Sequence, residues 1–248
     1  MKIVISESQY KRLIEAEEKP KILEFPSLEF FDNDPFEAWK IIQKIIQRKG
    51  NPPYSIGGNL NFLGTPIESL GNLVSVGGGL NLVGTPIESL GNLVSVGGGL
   101  NLIGTPIESL GNLVSVGGYL NLKYSLIKSL RNLQSVGEDL DLEGTPIESL
   151  GNLQSVGGFL DLEGTKIDSL GNLKSVGGDL NLKYSLIKSL RNLQSVGEDL
   201  DLEGTPIESL GNLKFVGGYL DLQGTPLFKK YTEKQIRKMV NVEGDIYL

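Results

Sequence analysis

Carboxylates and amides recur through this chain on a fixed comb. Asp141, Asp161, Asp201 and Asp221 fall on one twenty-residue interval, and the remaining teeth are Asn61, Asn81, Asn101, Asn121 and Asn181. Oxygens gathered at such spacing suit a hard cation such as calcium, which takes several of them. Asp139, Asp141 and Glu143 beside Asp161 and Glu163 form the densest group. Against a metal, Lys123 and Lys183 stand in adjacent teeth where they neutralise carboxylates across strands, and the glycine-rich nonapeptide calcium signature is absent. No metal site and no cofactor is expected.

Binding chemistry has better candidates. Tyr119, Phe159 and Tyr219 lie two positions before comb residues, and aromatics held on a rigid surface give contact area at little entropic cost. A second group comes from two variant units. Tyr124, Leu126, Lys128 and Arg131 replace the usual glycine, proline, acid and glycine, and Tyr184, Leu186, Lys188 and Arg191 do so again. At about 4.8 Å per unit the two clusters sit roughly 14 Å apart, a spacing that suits a repetitive or symmetric partner. The whole stretch Leu120–Leu153 returns unchanged at Leu180–Leu213, so duplication alone also explains their recurrence. Catalysis is disfavoured: there is no histidine to activate a serine and no cysteine, and the carboxylates belong to an open surface rather than a pocket. No catalytic residue is assigned.

The comb exists because one unit, GTPIESLGNLVSVGGGLNLV at residues 64–83, repeats with small edits to Gln223. Self-similarity at this period marks a stack of identical units. Leu80 and Leu82 alternate around Asn81, which predicts a short strand with both leucines inward and the amide outward. Nine such strands, stacked in register, form a parallel sheet. Gly77 and its equivalents never vary, which predicts either positive φ or a close approach that a Cβ would block, whereas Glu138 and Glu198 show the next glycine to be dispensable. A hydroxyl column from Thr65 to Thr225 and an amide column from Asn72 to Asn212 are expected to satisfy backbone groups between coils.

The skeleton LxxLxxVGGxLxLxGTxI, running from Ile56 to Thr225, resembles the short leucine-rich repeats of receptor L-domain-like proteins. That resemblance implies an α/β repeat fold: a right-handed leucine-rich, L-domain-like β-solenoid of 20-residue coils with a parallel sheet and helical caps. Two departures matter. Threonine stands where the usual asparagine ladder would be, and twenty residues leave no room for a convex helix, so extended or 3₁₀ segments are expected there. The family includes many unrelated binders, so the fold implies no particular partner.

Around the array the chain divides into residues 1–33, a terminal helix and linker; 34–55, a capping helix; 56–225, the solenoid; and 226–248, a closing helix and strand. Ser6 with Gln9, and Thr232 with Gln235, are spaced as capping boxes. Phe36, Trp39, Ile42, Ile45 and Ile46 make a helical apolar stripe after Asp34 and Pro35, placed to seal the first coil. Val240, Asn241 and Val242 fall twenty residues beyond Leu220, where a tenth strand is expected in phase.

The array carries 18 acidic against 9 basic residues, which disfavours nucleic acid. No apolar run is long enough to cross a membrane and the opening lacks a secretory h-region, so the cytoplasm or a virion is the expected location. That opening, MKIVISESQY, resembles the leaders of some tailed-phage proteins. The expected function is a non-enzymatic protein-interaction scaffold, with self-association through the terminal helices open to it. The rival readings are a structural component of a phage particle or assembly, and a glycan-binding surface protein that uses the aromatic column.

Overall fold

The computed structural model describes residues 21–26 and 35–248. The Ser6–Gln9 capping box and the Asp34 cap lie outside these residues. The array is a parallel β-solenoid with one coil per twenty residues. Each coil contributes to two parallel sheets rather than the single one expected. Leucine strands such as Leu100–Asn101 build a ten-stranded sheet from Leu60–Asn61 to Ile246–Tyr247. Strands such as Ser95–Val96 build an eleven-stranded sheet from Leu23–Phe25 to Asn241–Val242. The second sheet escaped the sequence because two residues with one outward serine make no alternation long enough to register.

Register is constant along the stack: Leu100 pairs with Leu80 and Leu120, and Ser95 with Ser75 and Ser115. Backbone hydrogen bonds join successive coils in both sheets. Leu80 N–H donates forward to the Gly99 carbonyl at 2.9 Å, while Gly97 N–H donates back to the Val76 carbonyl at 2.8 Å. Every internal coil is therefore tied to both neighbours. The third side is extended, as the coil length demanded, and touches its neighbours through isolated bridges such as Ser129 with Ser149.

Inside, each coil buries six aliphatics. In one, Leu100, Leu102, Ile107, Leu110, Leu113 and Val116 are all at most 1% exposed. Aliphatic burial of about 1.5–3 kcal/mol per side chain drives the stack. Thr85 is buried too, and its hydroxyl donates to the Leu82 carbonyl at 2.7 Å, which satisfies the turn as expected. The column fails at Ser125 and Ser185, whose buried hydroxyls find no partner among the described residues. Serine lacks the branched carbon that holds threonine's χ1 in place.

The invariant glycines act by close approach. A Cβ on Gly157 would overlap the Gly137 carbonyl oxygen, and Gly157 has no positive φ. Left-handed backbone belongs to two other columns, typified by Gly164 at φ +63° and Gly171 at φ +57°. The duplicated coils place Tyr124, Arg131, Tyr184 and Arg191 in these columns, at φ 57°, 46°, 56° and 43°.

The ends are covered by helices. The helix α1, Pro35–Arg48, buries Ala38, Trp39, Ile42 and Ile46, with the Trp39 ring 5.1 Å edge-on to Phe62. Tyr54, fully buried beneath it, donates to the Leu70 carbonyl at 2.8 Å and accepts from Gln43 at 2.8 Å. At the other end α2, Pro226–Lys230, and α3, Glu233–Met239, bury Leu227 and Ile236. Gln235 Oε1 accepts both the Thr232 N–H at 2.9 Å and its hydroxyl at 3.0 Å. The closing coil departs from the expected phase. Asn241–Val242 joins the serine–valine sheet opposite Phe215–Val216, and the last leucine-sheet strand is Ile246–Tyr247 opposite Leu220–Asp221. The two helices need more chain than the turn they replace, which shifts the phase.

Gly157→Ala should lower unfolding stability by roughly 2–4 kcal/mol, the range of a severe steric defect. Gly164→Ala, where a Cβ meets nothing within 4 Å, should cost only about 1–2 kcal/mol for its positive φ. Urea denaturation of both variants checks the order.

Candidate functional site

The comb residues are placed on the outward side of the leucine sheet, where every one from Asn61 to Asp221 performs a structural task. Each side-chain oxygen accepts the backbone N–H two residues on. The distances are 3.1 Å at Asn121, 3.2 Å at Asp141, 2.9 Å at Asp161, and 2.8 Å at Asp201 and Asp221. Asparagine and aspartate make such a turn better than any other residue type, which accounts for their hold on the column before Tyr247. The alternation of Asn with Asp across otherwise constant positions was the available signal. One heteroatom per residue stays outward.

The neighbouring column does related work. Asp139 and Asp199 accept the N–H groups of Phe159 and Tyr219 one coil on, at 3.0 and 2.9 Å. The three aromatics differ in setting. Tyr119 is exposed, and its ring lies against Gly99, where a Cβ would collide with it. Phe159 and Tyr219 are half-buried, and Tyr219 meets Tyr247 edge-on at 5.5 Å. Tyr119 closes one end of a shallow recess of about 240 Å³, floored by Gly79 and Gly99 and edged by Asn59, Asn61 and Asn81.

The two variant coils reproduce one another. Lys123 pairs with Glu143 at 2.7 Å and Asp141 at 3.1 Å, and the Tyr124 hydroxyl donates to Glu143 at 2.8 Å. Sixty residues on, Lys183 pairs with Glu203 and the Tyr184 hydroxyl donates to Glu203 at 2.9 Å. Lys123 and Tyr124 hold the Glu143 carboxyl below its usual range, and Lys183 and Tyr184 do the same for Glu203. Each tyrosine ring also covers the glycine of the next coil, Gly144 or Gly204. These tyrosines brace the chain internally while remaining 60% and 54% exposed.

Arg131 and Arg191 do not. Both are exposed, and neither side chain forms an ion pair or hydrogen bond among the described residues. Arg191 lines a cleft of about 430 Å³ with Leu186, Lys188, Asp168 and Pro206. Among the described residues, the carboxylates that gather are Asp201, Glu203 and Asp221, whose oxygens lie within 4.8 Å of one another, rather than the group around Asp141. Lys183 already neutralises Glu203 there. Acidic groups at a solvated, partly buried surface such as this are common without an ion.

Asp161 and Asp201 are held above the ordinary aspartate range, chiefly because half-burial disfavours their charge, with nearby carboxylates adding to it. Comparison with family models, curated proteins and solved structures returned no match for this chain. No helix among the described residues is long and apolar enough to cross a membrane.

Asp161→Asn and Asp201→Asn keep the turn acceptor and remove the desolvated charge. Each should raise the melting temperature at neutral pH. A raised native pKa means the folded state binds more protons than the unfolded one, so wild-type stability from these groups improves as pH falls. The variants' advantage should therefore shrink on acidification through the aspartate range, as thermal melts across pH will show. An advantage that grows on acidification would contradict the assignment.

Proposed function

We propose that this chain is a non-enzymatic protein-interaction scaffold built on leucine-rich coils that have lost the convex helix. The observation that carries the reading is the placement of Arg131 and Arg191. Left-handed backbone costs a side-chain-bearing residue about 1–2 kcal/mol, and glycine serves at the equivalent position of the coils between and around them. Tyrosines in similar backbone recover part of that cost by bracing the next coil. The arginines recover nothing within the described chain, and strain kept without internal return is characteristic of binding surfaces. Arginine is also among the residue types enriched where partners grip.

The rest of the surface agrees with such a role. Among the described residues the faces are open and hold no enclosed pair of carboxylates, and the sequence has no histidine or cysteine to act as base or nucleophile. A glycan-binding reading draws on the Tyr119 recess, where an aromatic edge meets a row of amides. That recess is small and shallow, and we rank it second. A part in a phage assembly rests on the resemblance of the first ten residues alone.

Replacing both arginines by glycine, R131G with R191G, separates stability from function. The variant should be as stable as the wild type or more so, by up to about 1 kcal/mol per position. Crosslinking in the cell that makes the chain should then recover bound proteins at about one tenth of the wild-type yield or less. Undiminished recovery from a folded variant would overturn the reading.

A further inference from the structure

The coil distributes its charge unequally among its three sides. Within the repeated coils, residues 71–77 and their equivalents up to Gly217, which include the serine–valine strands, carry Arg131, Lys174, Arg191 and Lys214 and no carboxylate; the carboxylates of this sheet lie at its ends, Glu24 in the first strand and Glu243 beside the last. Residues 78–83 and their equivalents, which form the leucine sheet, carry twelve carboxylates against Lys123 and Lys183. The four cations are all exposed, and none makes an ion pair or side-chain hydrogen bond among the described residues. On the acidic side, Glu138 and Glu198 are likewise exposed and unpaired, in a position that glycine fills in the other coils. Both faces are parallel ladders with the same rise of about 4.8 Å per coil. Duplication has set the charges to matching intervals. Arg131 and Arg191 are three coils apart, and so are Glu138 and Glu198.

We propose that the serine–valine sheet of one molecule docks on the leucine sheet of a second copy. Flat sheets pack face to face with their strands nearly aligned, and the common rise lets cations and carboxylates meet at several coils at once. The uncharged amides of Gln134, Gln154 and Gln194 lie between the cations and are exposed. They offer hydrogen bonds to outward carboxylate oxygens. Because the two surfaces differ, the contact is heterologous and continues into an open row rather than closing as a two-fold dimer. Attraction between exposed charges makes the association weak and strongly dependent on salt. The inference builds on the scaffold reading and adds a copy of this chain as partner.

Sedimentation velocity of the purified full chain, from about 1 µM to about 1 mM, tests this at ionic strengths of about 0.01 M and about 1 M. At low salt the average mass should rise with concentration above 26.8 kDa, and at high salt it should return to that value. The reversal K174E with K214E should weaken association about tenfold or more, with circular dichroism unchanged. E138K with E198K should do the same from the opposite face. Mixing the two reversed chains should restore association as far as one-to-one pairs, because the intact serine–valine face of one meets the intact leucine face of the other. A chain that stays monomeric throughout overturns the proposal, as does association that ignores salt or survives both reversals. If the chain is monomeric and R131G with R191G still loses crosslinked proteins, the scaffold reading stands and this inference alone falls.

Discussion

The structure depends on one contact: the backbone of each coil lies directly on the backbone of the coil before it at the Gly77 column. No side chain intervenes there, and a Cβ would overlap the preceding carbonyl oxygen. Close approach at this corner brings both ladders within hydrogen-bond reach of the coils on either side. A coil held from both directions cannot slip by one residue without turning its leucines outward. Register, core and surface columns therefore share a single origin, and stability is close to a sum of neighbour terms along the stack.

Positions facing outward are consequently held in fixed rows, and most of their chemistry is spent on the chain itself. The Asn and Asp column caps turns, the second acidic column reaches the next coil's N–H groups, and the variant tyrosines span glycines and bond to glutamates. What remains after this subtraction is informative. Arg131 and Arg191 in left-handed backbone, and Glu138 and Glu198 in a glycine corner, are charged side chains at positions shaped for none. The duplication explains why they come in pairs, and on the proposed reading the left-handed backbone of the two arginines is kept for a use outside the coil.

Much of this was legible in the sequence because the repeat is nearly perfect. The period, the inward leucines, the outward Asn and Asp and the helix over the first coil all follow from spacing and residue type. Three things did not follow. Ser95–Val96 is too short to show alternation, so the second sheet was invisible without its neighbours. The closing strand was placed at Val240 by counting twenty, but α2 and α3 lengthen the last coil and Ile246 takes that place. The invariant glycine admitted two explanations, and only coordinates separate close approach from positive φ. At the proposed binding surface, residue type marks the arginines as unusual, whereas the missing partner among the described residues that distinguishes them from Tyr124 and Tyr184 is a fact of three dimensions.

The most direct measurement is a distance along the stack. The chain has no cysteine, so Val94→Cys and Lys214→Cys, both exposed on the serine–valine face, accept spin labels cleanly. Six coils separate them, so pulsed electron resonance should give one narrow distribution near 29 Å, about 4.8 Å per coil. A broad distribution, or a mean far from that value, would contradict a register-locked solenoid and the surface rows derived from it.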